Sequence, residues 1–141
     1  MNKSTDVCIV CGKFLGKGHT SPYCYTHLVE SRRKEKIQHW LETGDIGMTV
    51  NTTILGIFRE YILNEQDSCC AICGMTNMWN GKTINFILDH IDGDAANSAR
   101  DNLRLICPNC DSQLPTYKSK NKNSSRTKRK EFLRECREAN N

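Results

Sequence analysis

Between Leu88 and Asp111 the chain reads LDHIDGDAANSARDNLRLICPNCD, and the residue types in it suit a hydrolytic metal site. Asp89 offers a hard oxygen ligand. The imidazole next to it, on His90, has an unperturbed pKa of about 6.5 and so suits a general base near neutral pH. Asp111 supplies a second carboxylate, and two carboxylates suit magnesium or manganese, which take oxygen ligands and keep several waters. Neighbouring side chains on an ideal strand point to opposite faces. Asp89 and His90 can therefore serve one site only if their strand ends there in a bend, which IDGD supplies.

Something must hold Asp111 opposite His90, and the cysteines around it are suited to that task. Cys70 and Cys73 form one C-x-x-C knuckle and Cys107 and Cys110 another, with a compact stretch between them. Such a pair of knuckles closes a tetrahedral zinc site. Asp111 directly follows the last ligand, on the first turn of a short helix expected to start near Pro108 and to end or kink at Pro115. A second four-ligand set lies near the N-terminus, where Cys8 and Cys11 are joined by Cys24 and His27. Gly12 permits the turn that aims the first two sulfurs inward. His19 competes as fourth ligand at a poorer spacing, with a plain loop histidine as the favoured reading. Cys69 and Cys136 fit neither set and are expected as free thiols.

The remaining elements are structural. Val29, Ile37, Trp40 and Leu41 predict a helix over 29–41, stopped by Gly44 and Gly47. Asn51 or Thr52 can cap a second helix, on which Ile54, Ile57, Phe58, Tyr61 and Ile62 make an apolar stripe. TINFILDH reads as one strand and NLRLI as another. Trp79 is expected to pack over the zinc ribbon. Asp92 and Asp94 flank Gly93 and are read as a turn in preference to a second ion site.

The chain has 141 residues, about the size of one domain, and its hydrophobic content is only 38%. A mean hydropathy of -0.60 is low for a domain stabilised by apolar burial alone, and metal ligation is the natural supplement. Nine cysteines, an odd number at close spacing, fit zinc in a reducing compartment better than disulfides. No apolar run is long enough to span a bilayer and no signal peptide is legible, so a cytoplasmic protein is expected, with no membrane partner. From Thr116 onward nine basic residues stand against three acidic, on a body with a slight acidic excess. That basic end suits a polyanion, most simply nucleic acid, with a solvated tail as the alternative.

The segments DHIDGD, NLRLICPNC and SQ…TY…KN together resemble the HNH endonuclease family, in the form typical of phage and prophage members. The likeness covers roughly residues 70–123. It implies an α+β fold: a small zinc-stabilised protein with a ββα-metal core, an N-terminal zinc knuckle module and connecting helices. The signature positions would be His90, Asn102 and Asp111. The resemblance implies that His90 activates water, that Asp89 and Asp111 hold a catalytic Mg2+ or Mn2+, and that Asn102 orients the loop carrying His90. The products would carry a 5′ phosphate and a 3′ hydroxyl. Asp111 departs from the pattern, since the third position is usually His; it is read as an exchange of one ligand for another, with decay of the site as the competing reading.

The implied partner is DNA, in double-stranded form, inside a bacterial or phage-infected host cell. A homodimer is implied if both strands are to be cut symmetrically. Arg100, Arg104 and Lys118 are candidates for holding the scissile phosphate, and Lys120, Lys122, Arg126, Lys128, Arg129 and Lys130 for contacts to the DNA backbone. The expected organisation is a zinc module at 1–28, a helical connector at 29–66, the nuclease module at 67–123 and a basic tail at 124–141. The competing function is a catalytically inactive zinc protein that binds DNA. His90 separates the two, because a DNA binder needs no Asp-His pair at a strand end. A structural zinc protein ranks last, since it leaves Asp89, His90, Asn102 and Asp111 as coincidence.

Overall fold

The computed structural model describes residues 6–47, 52–118, 121–122 and 124–139, without the side chains of residues 52–54 and 125. The cap expected at Asn51, the side chains of Thr52 and Ile54, and Lys120 lie outside the described residues. The elements are α1 (Tyr25–Thr43), α2 (Thr52–Glu65), β1 (Met78–Trp79), β2 (Lys82–Thr83), β3 (Ile87–His90), β4 (Leu103–Ile106), α3 (Pro108–Gln113) and α4 (Ser125–Glu138). They make a mixed helix and small-sheet protein. Among the described residues no helix is long and apolar enough to cross a membrane. The chain divides into two compact units, Met1–His39 and Trp40–Asn141.

In the first unit the Cys8 N–H donates to the Lys13 carbonyl (2.8 Å) and the Gly12 N–H to the Cys8 carbonyl (2.7 Å), which folds CIVCG into a knuckle. Helix α1 begins at Tyr25, before the Val29 that its apolar residues suggested. The reason is that the Cys24 carbonyl accepts the Leu28 N–H (2.8 Å), so the second ligand pair is itself wound into the first helical turn. The apolar stripe expected on this helix does not form a core face. Val29 and Leu41 are exposed and Ile37 is half-buried, because charged residues fill the positions between them.

Trp40, on the last turn of α1, belongs to the second unit and is completely buried there. Its ring meets Phe58 at 5.0 Å and Tyr61 edge-on at 5.8 Å, and its indole N–H donates to the Ser98 carbonyl (2.7 Å). Helix α1 stops at Gly44, whose N–H returns to the Trp40 carbonyl (2.7 Å) with φ at +71°, a conformation glycine adopts without strain. Helix α2 contributes Phe58 and Ile62 to the same core, which continues through Cys70, Phe86, Leu103, Leu105, Ile106 and Cys107. Gln66, just past α2, ties the helix to β4: its amide donates to the Leu105 carbonyl and its oxygen accepts the Leu105 N–H, both at 2.8 Å.

Strands β3 and β4 pair antiparallel, with Ile87 opposite Ile106 and His90 opposite Leu103, and α3 follows β4 directly. Helix α3 starts at Pro108 behind an N-cap at Cys107 and ends at Gln113, before Pro115. The single strand expected over TINFILDH is two. Lys82–Thr83 pairs with Met78–Trp79 around Asn80 and Gly81, both at positive φ, and only Ile87–His90 joins β4. The Asn-Gly pair is a two-residue hairpin signal that the β-branched run masks. Trp79 sits on this hairpin with 58% of its surface exposed, beside a groove bordered by Met75, Ile84 and Cys107.

The basic end of the chain is also different from the tail expected. It forms α4, capped by the Ser124 hydroxyl, which accepts the Thr127 N–H (3.2 Å). The segment has no glycine or proline and is rich in Arg, Lys and Glu, all good helix formers. High net charge obscured that propensity.

Candidate active site

His90 is the last residue of β3, and the chain bends immediately after it. The Gly93 N–H donates to the His90 carbonyl (2.8 Å), and Gly93 takes φ at +74°. A Cβ there would fall 2.7 Å from Asn121 Oδ1 and 3.1 Å from Thr116 Cγ2, so both backbone conformation and space require glycine. With the strand ended this way, Asp89 and His90 line one cavity of about 280 Å³, together with Asp111 from α3 and Lys118. Thr116, Tyr117 and Asn121 also line it.

Asn102 lies beneath the bend rather than in the cavity and is only 8% exposed. Its Oδ1 accepts the Asp92 N–H (3.0 Å), and its amide donates to Asp92 Oδ1 (2.9 Å) and to the Asn97 carbonyl (2.8 Å). Its own carbonyl accepts the Ile91 N–H (2.9 Å). One buried amide thus joins both arms of the loop that follows His90. Asp92 also accepts the Asp94 N–H (2.8 Å), which together with Asn102 and Asn97 holds its carboxyl below the usual carboxylate range.

The arginines are engaged by carboxylates. Arg104 stands directly across the ladder from Asp89 and donates to its Oδ2 (2.8 Å). Arg100 pairs with Glu65 (2.6 Å) and donates to the Leu103 carbonyl (2.7 Å), away from the cavity. Lys118 has φ at +50° and holds its ammonium 4.8 Å from the centre of the Tyr117 ring. Hydrogen bonding with the Tyr117 side chain, and then the Asp111 charge, raise the Lys118 pKa. Lys122, Arg126, Arg129 and Lys130 are exposed, whereas Lys128 is paired with Asp94.

Among the described residues two clusters could hold metal ions: Cys8, Cys11, Cys24 and His27, and Cys70, Cys73, Cys107 and Cys110, the ligand atoms of each lying within 4.8 Å of one another. Both fit zinc, each being a set of four soft or borderline donors. His19 is outside the first cluster and meets the backbone of Ser21 instead (2.8 Å). His27 Nδ1 lies 3.3 Å from the sulfurs of both Cys8 and Cys24. Burial opposes ionisation of Cys8 and Cys70, yet surrounding backbone N–H groups outweigh it and bring the thiols to about 5 and about 6. Cys110 goes the other way, to about 12, through burial and the neighbouring sulfurs. Cys69 belongs to neither cluster and donates to the Asp67 carbonyl (3.4 Å). Among the described residues Asp89, His90 and Asp111 form no third cluster of that tightness.

Sequence reasoning assigned no role to Gly93, Thr116, Tyr117 or Asn121 as cavity residues. Thr116 and Tyr117 fall in the SQ…TY…KN segment that carries the resemblance, but glycine, threonine and asparagine have no chemical signature by type, and their place at the cavity is seen only in the fold.

Over 65 residues the chain is 44% identical to the H-N-H endonuclease F-TflIV of Escherichia phage T5. The matched stretch covers 45% of this chain and 28% of that relative, so the chain corresponds to under a third of the relative's length. No family model matches, and no solved structure matches.

Proposed function

We propose that the chain is a divalent-metal-dependent HNH endonuclease acting on double-stranded DNA. Residues 67–123 would form its ββα-metal module, residues 1–28 a zinc module, residues 29–66 a helical connector and residues 124–141 a basic DNA-contacting segment. The observation that carries this reading is the convergence of Asp89, His90 and Asp111 on one cavity, behind a bend tied together by Asn102.

His90 accepts a proton from water, and the oxygen attacks phosphorus in line while the bond to the 3′ oxygen breaks and that oxygen takes a proton from solvent. This leaves a 5′ phosphate and a 3′ hydroxyl. The donor set fits a hard cation, since Asp89 and Asp111 bring carboxylate oxygens to the same polar cavity and Arg104 occupies only Oδ2 of Asp89. A cation bound there would neutralise charge on the phosphate and on the leaving oxygen. Lys118 reaches the same cavity and suits the scissile phosphate. Asn102 keeps the His90 loop in one geometry.

The test is cleavage of supercoiled plasmid by the zinc-loaded chain with magnesium, with manganese and with no added cation, beside His90→Ala. Cation-dependent nicking or linearisation that is lost in His90→Ala, at unchanged zinc content, supports the nuclease. Absence of cleavage by both proteins, with salt-sensitive DNA binding intact, would favour the inactive DNA-binding protein.

A further inference from the structure

We infer that α4 is a two-sided strut, with one face fixing the His90 bend and the opposite face seating the DNA backbone, and that Lys128 is a positioning residue rather than a phosphate contact. This rests on the nuclease reading for its catalytic consequence.

Asn102 holds the bend from beneath. From the other side, Lys128 forms an ion pair with Asp94, and the Asn121 amide donates to the Gly93 carbonyl (2.8 Å). Asn121 is itself secured to α4, because its backbone carbonyl accepts the Thr127 hydroxyl (3.1 Å). Thr127 sits on the capped first turn, where Ser124 accepts its N–H. Two attachments from one helical turn therefore reach two consecutive residues of the bend. A Cβ on Gly93 would fall 2.7 Å from Asn121 Oδ1, so no side chain fits between the bend and Asn121.

Helix geometry separates this attachment from the remaining positive charge. At about 100° per residue, positions two away from Lys128 lie on the opposite side of the helix. Arg126 and Lys130 are therefore turned away from the bend, and Arg134 and Arg137 follow on the same side one and two turns further along. All four are exposed. A row of guanidinium and ammonium groups along one face, backed by an anchored helix, suits successive phosphates of one DNA strand. The same rigid helix then relates those phosphates to His90.

The test compares Lys128→Ala, Lys128→Arg and Arg126→Ala/Lys130→Ala in the full zinc-loaded chain. Plasmid cleavage is measured for kcat and KM, DNA binding against salt without added cation, and amide exchange at Ile91 to Asp94. Lys128→Ala should lower kcat on the order of tenfold with KM and the salt slope unchanged, since small misplacements of reacting groups cost that much or more. Lys128→Arg should recover most of the loss. Arg126→Ala/Lys130→Ala should raise KM and flatten the logarithmic salt slope by about 1.8, two phosphate contacts' worth. Lys128→Ala should also speed exchange in the bend, an outcome that reads the strut even if the protein does not cleave. In that event the nuclease reading fails, and unchanged exchange would overturn the strut separately. A raised KM and flattened salt slope in Lys128→Ala, at full kcat, would make Lys128 a phosphate contact and overturn the inference.

Discussion

Asp89 and Arg104 face each other across the β3–β4 ladder and form an ion pair of 2.8 Å, with side-chain exposures of only 10% and 27%. The residue proposed as the first metal ligand thus has a cationic partner across the ladder. Removing Arg104 leaves a nearly buried carboxylate without its counter-charge, a loss of roughly 1–3 kcal/mol. Arg104→Met should melt lower than the parent chain without added cation. Added magnesium or manganese should restore more of the loss than it stabilises the parent, because both oxygens of Asp89 are then open to the ion. Thermal unfolding with and without the cation checks both statements.

Asn102 makes three side-chain hydrogen bonds from a position that is 8% exposed. Asn102→Ala leaves the Asp92 N–H and the Asn97 carbonyl without that partner and should cost roughly 2–3 kcal/mol. Asn102→Asp should cost more, since it loses both donated bonds and sets a second carboxylate against Asp92. Denaturant unfolding of the zinc-loaded proteins measures the difference, and equal stability of all three would rule out the structural role.

Asp92 gives a pH dependence of definite sign. The Asp94 N–H, then Asn102 and Asn97, lower its pKa from an ordinary value of 3.8. A carboxyl depressed in the folded state contributes stability that is fully present above its unfolded pKa and is lost as pH falls through the folded value. Asp92→Asn should therefore be less stable than the parent at neutral pH, with the gap narrowing below about pH 4. Comparing melting temperatures of the two proteins at each pH cancels the acid sensitivity of the thiolate clusters, which they share.

The two cysteine clusters should each take one zinc, so elemental analysis should find two per chain. Cys8→Ala and Cys70→Ala should each leave one. The second loss should destabilise far more, because Cys70 and Cys107 are part of the hydrophobic core and the Cys70 sulfur also accepts the Cys107 N–H (3.2 Å). A zinc chelator should unfold the second unit, read as loss of the buried Trp40 fluorescence.

On the nuclease reading, Asp111 would stand where the resemblance to HNH endonucleases leads one to expect an imidazole. If its oxygen serves as a ligand, Asp111→Ala should abolish cleavage. Asp111→His should retain it and shift the preference toward nickel or cobalt, which imidazole suits better than magnesium. Full activity in Asp111→Ala would remove Asp111 from the ligand set.

Local spacing alone determined much of this protein. A C-x-x-C or C-x-x-H pair places two ligands within one turn of chain, so both metal clusters were legible without knowing the fold. Pro108, Pro115 and Gly44 likewise act through their own backbone chemistry, and they bound α3 and end α1 as expected. The apolar stripe of α2 was legible for the same reason: its core residues repeat at helical spacing. What tertiary structure decided were the contacts between residues far apart in the chain. Asp89 meets Arg104 only through the strand register, Arg100 is drawn to Glu65 by packing, and Trp40 finds Ser98 across the core. The basic end conveyed net charge but not its division into an anchored Lys128 and an opposite exposed row. That division depends on where Asp94 and Gly93 come to lie once β3 ends at His90, and side-chain type carries no record of such distances.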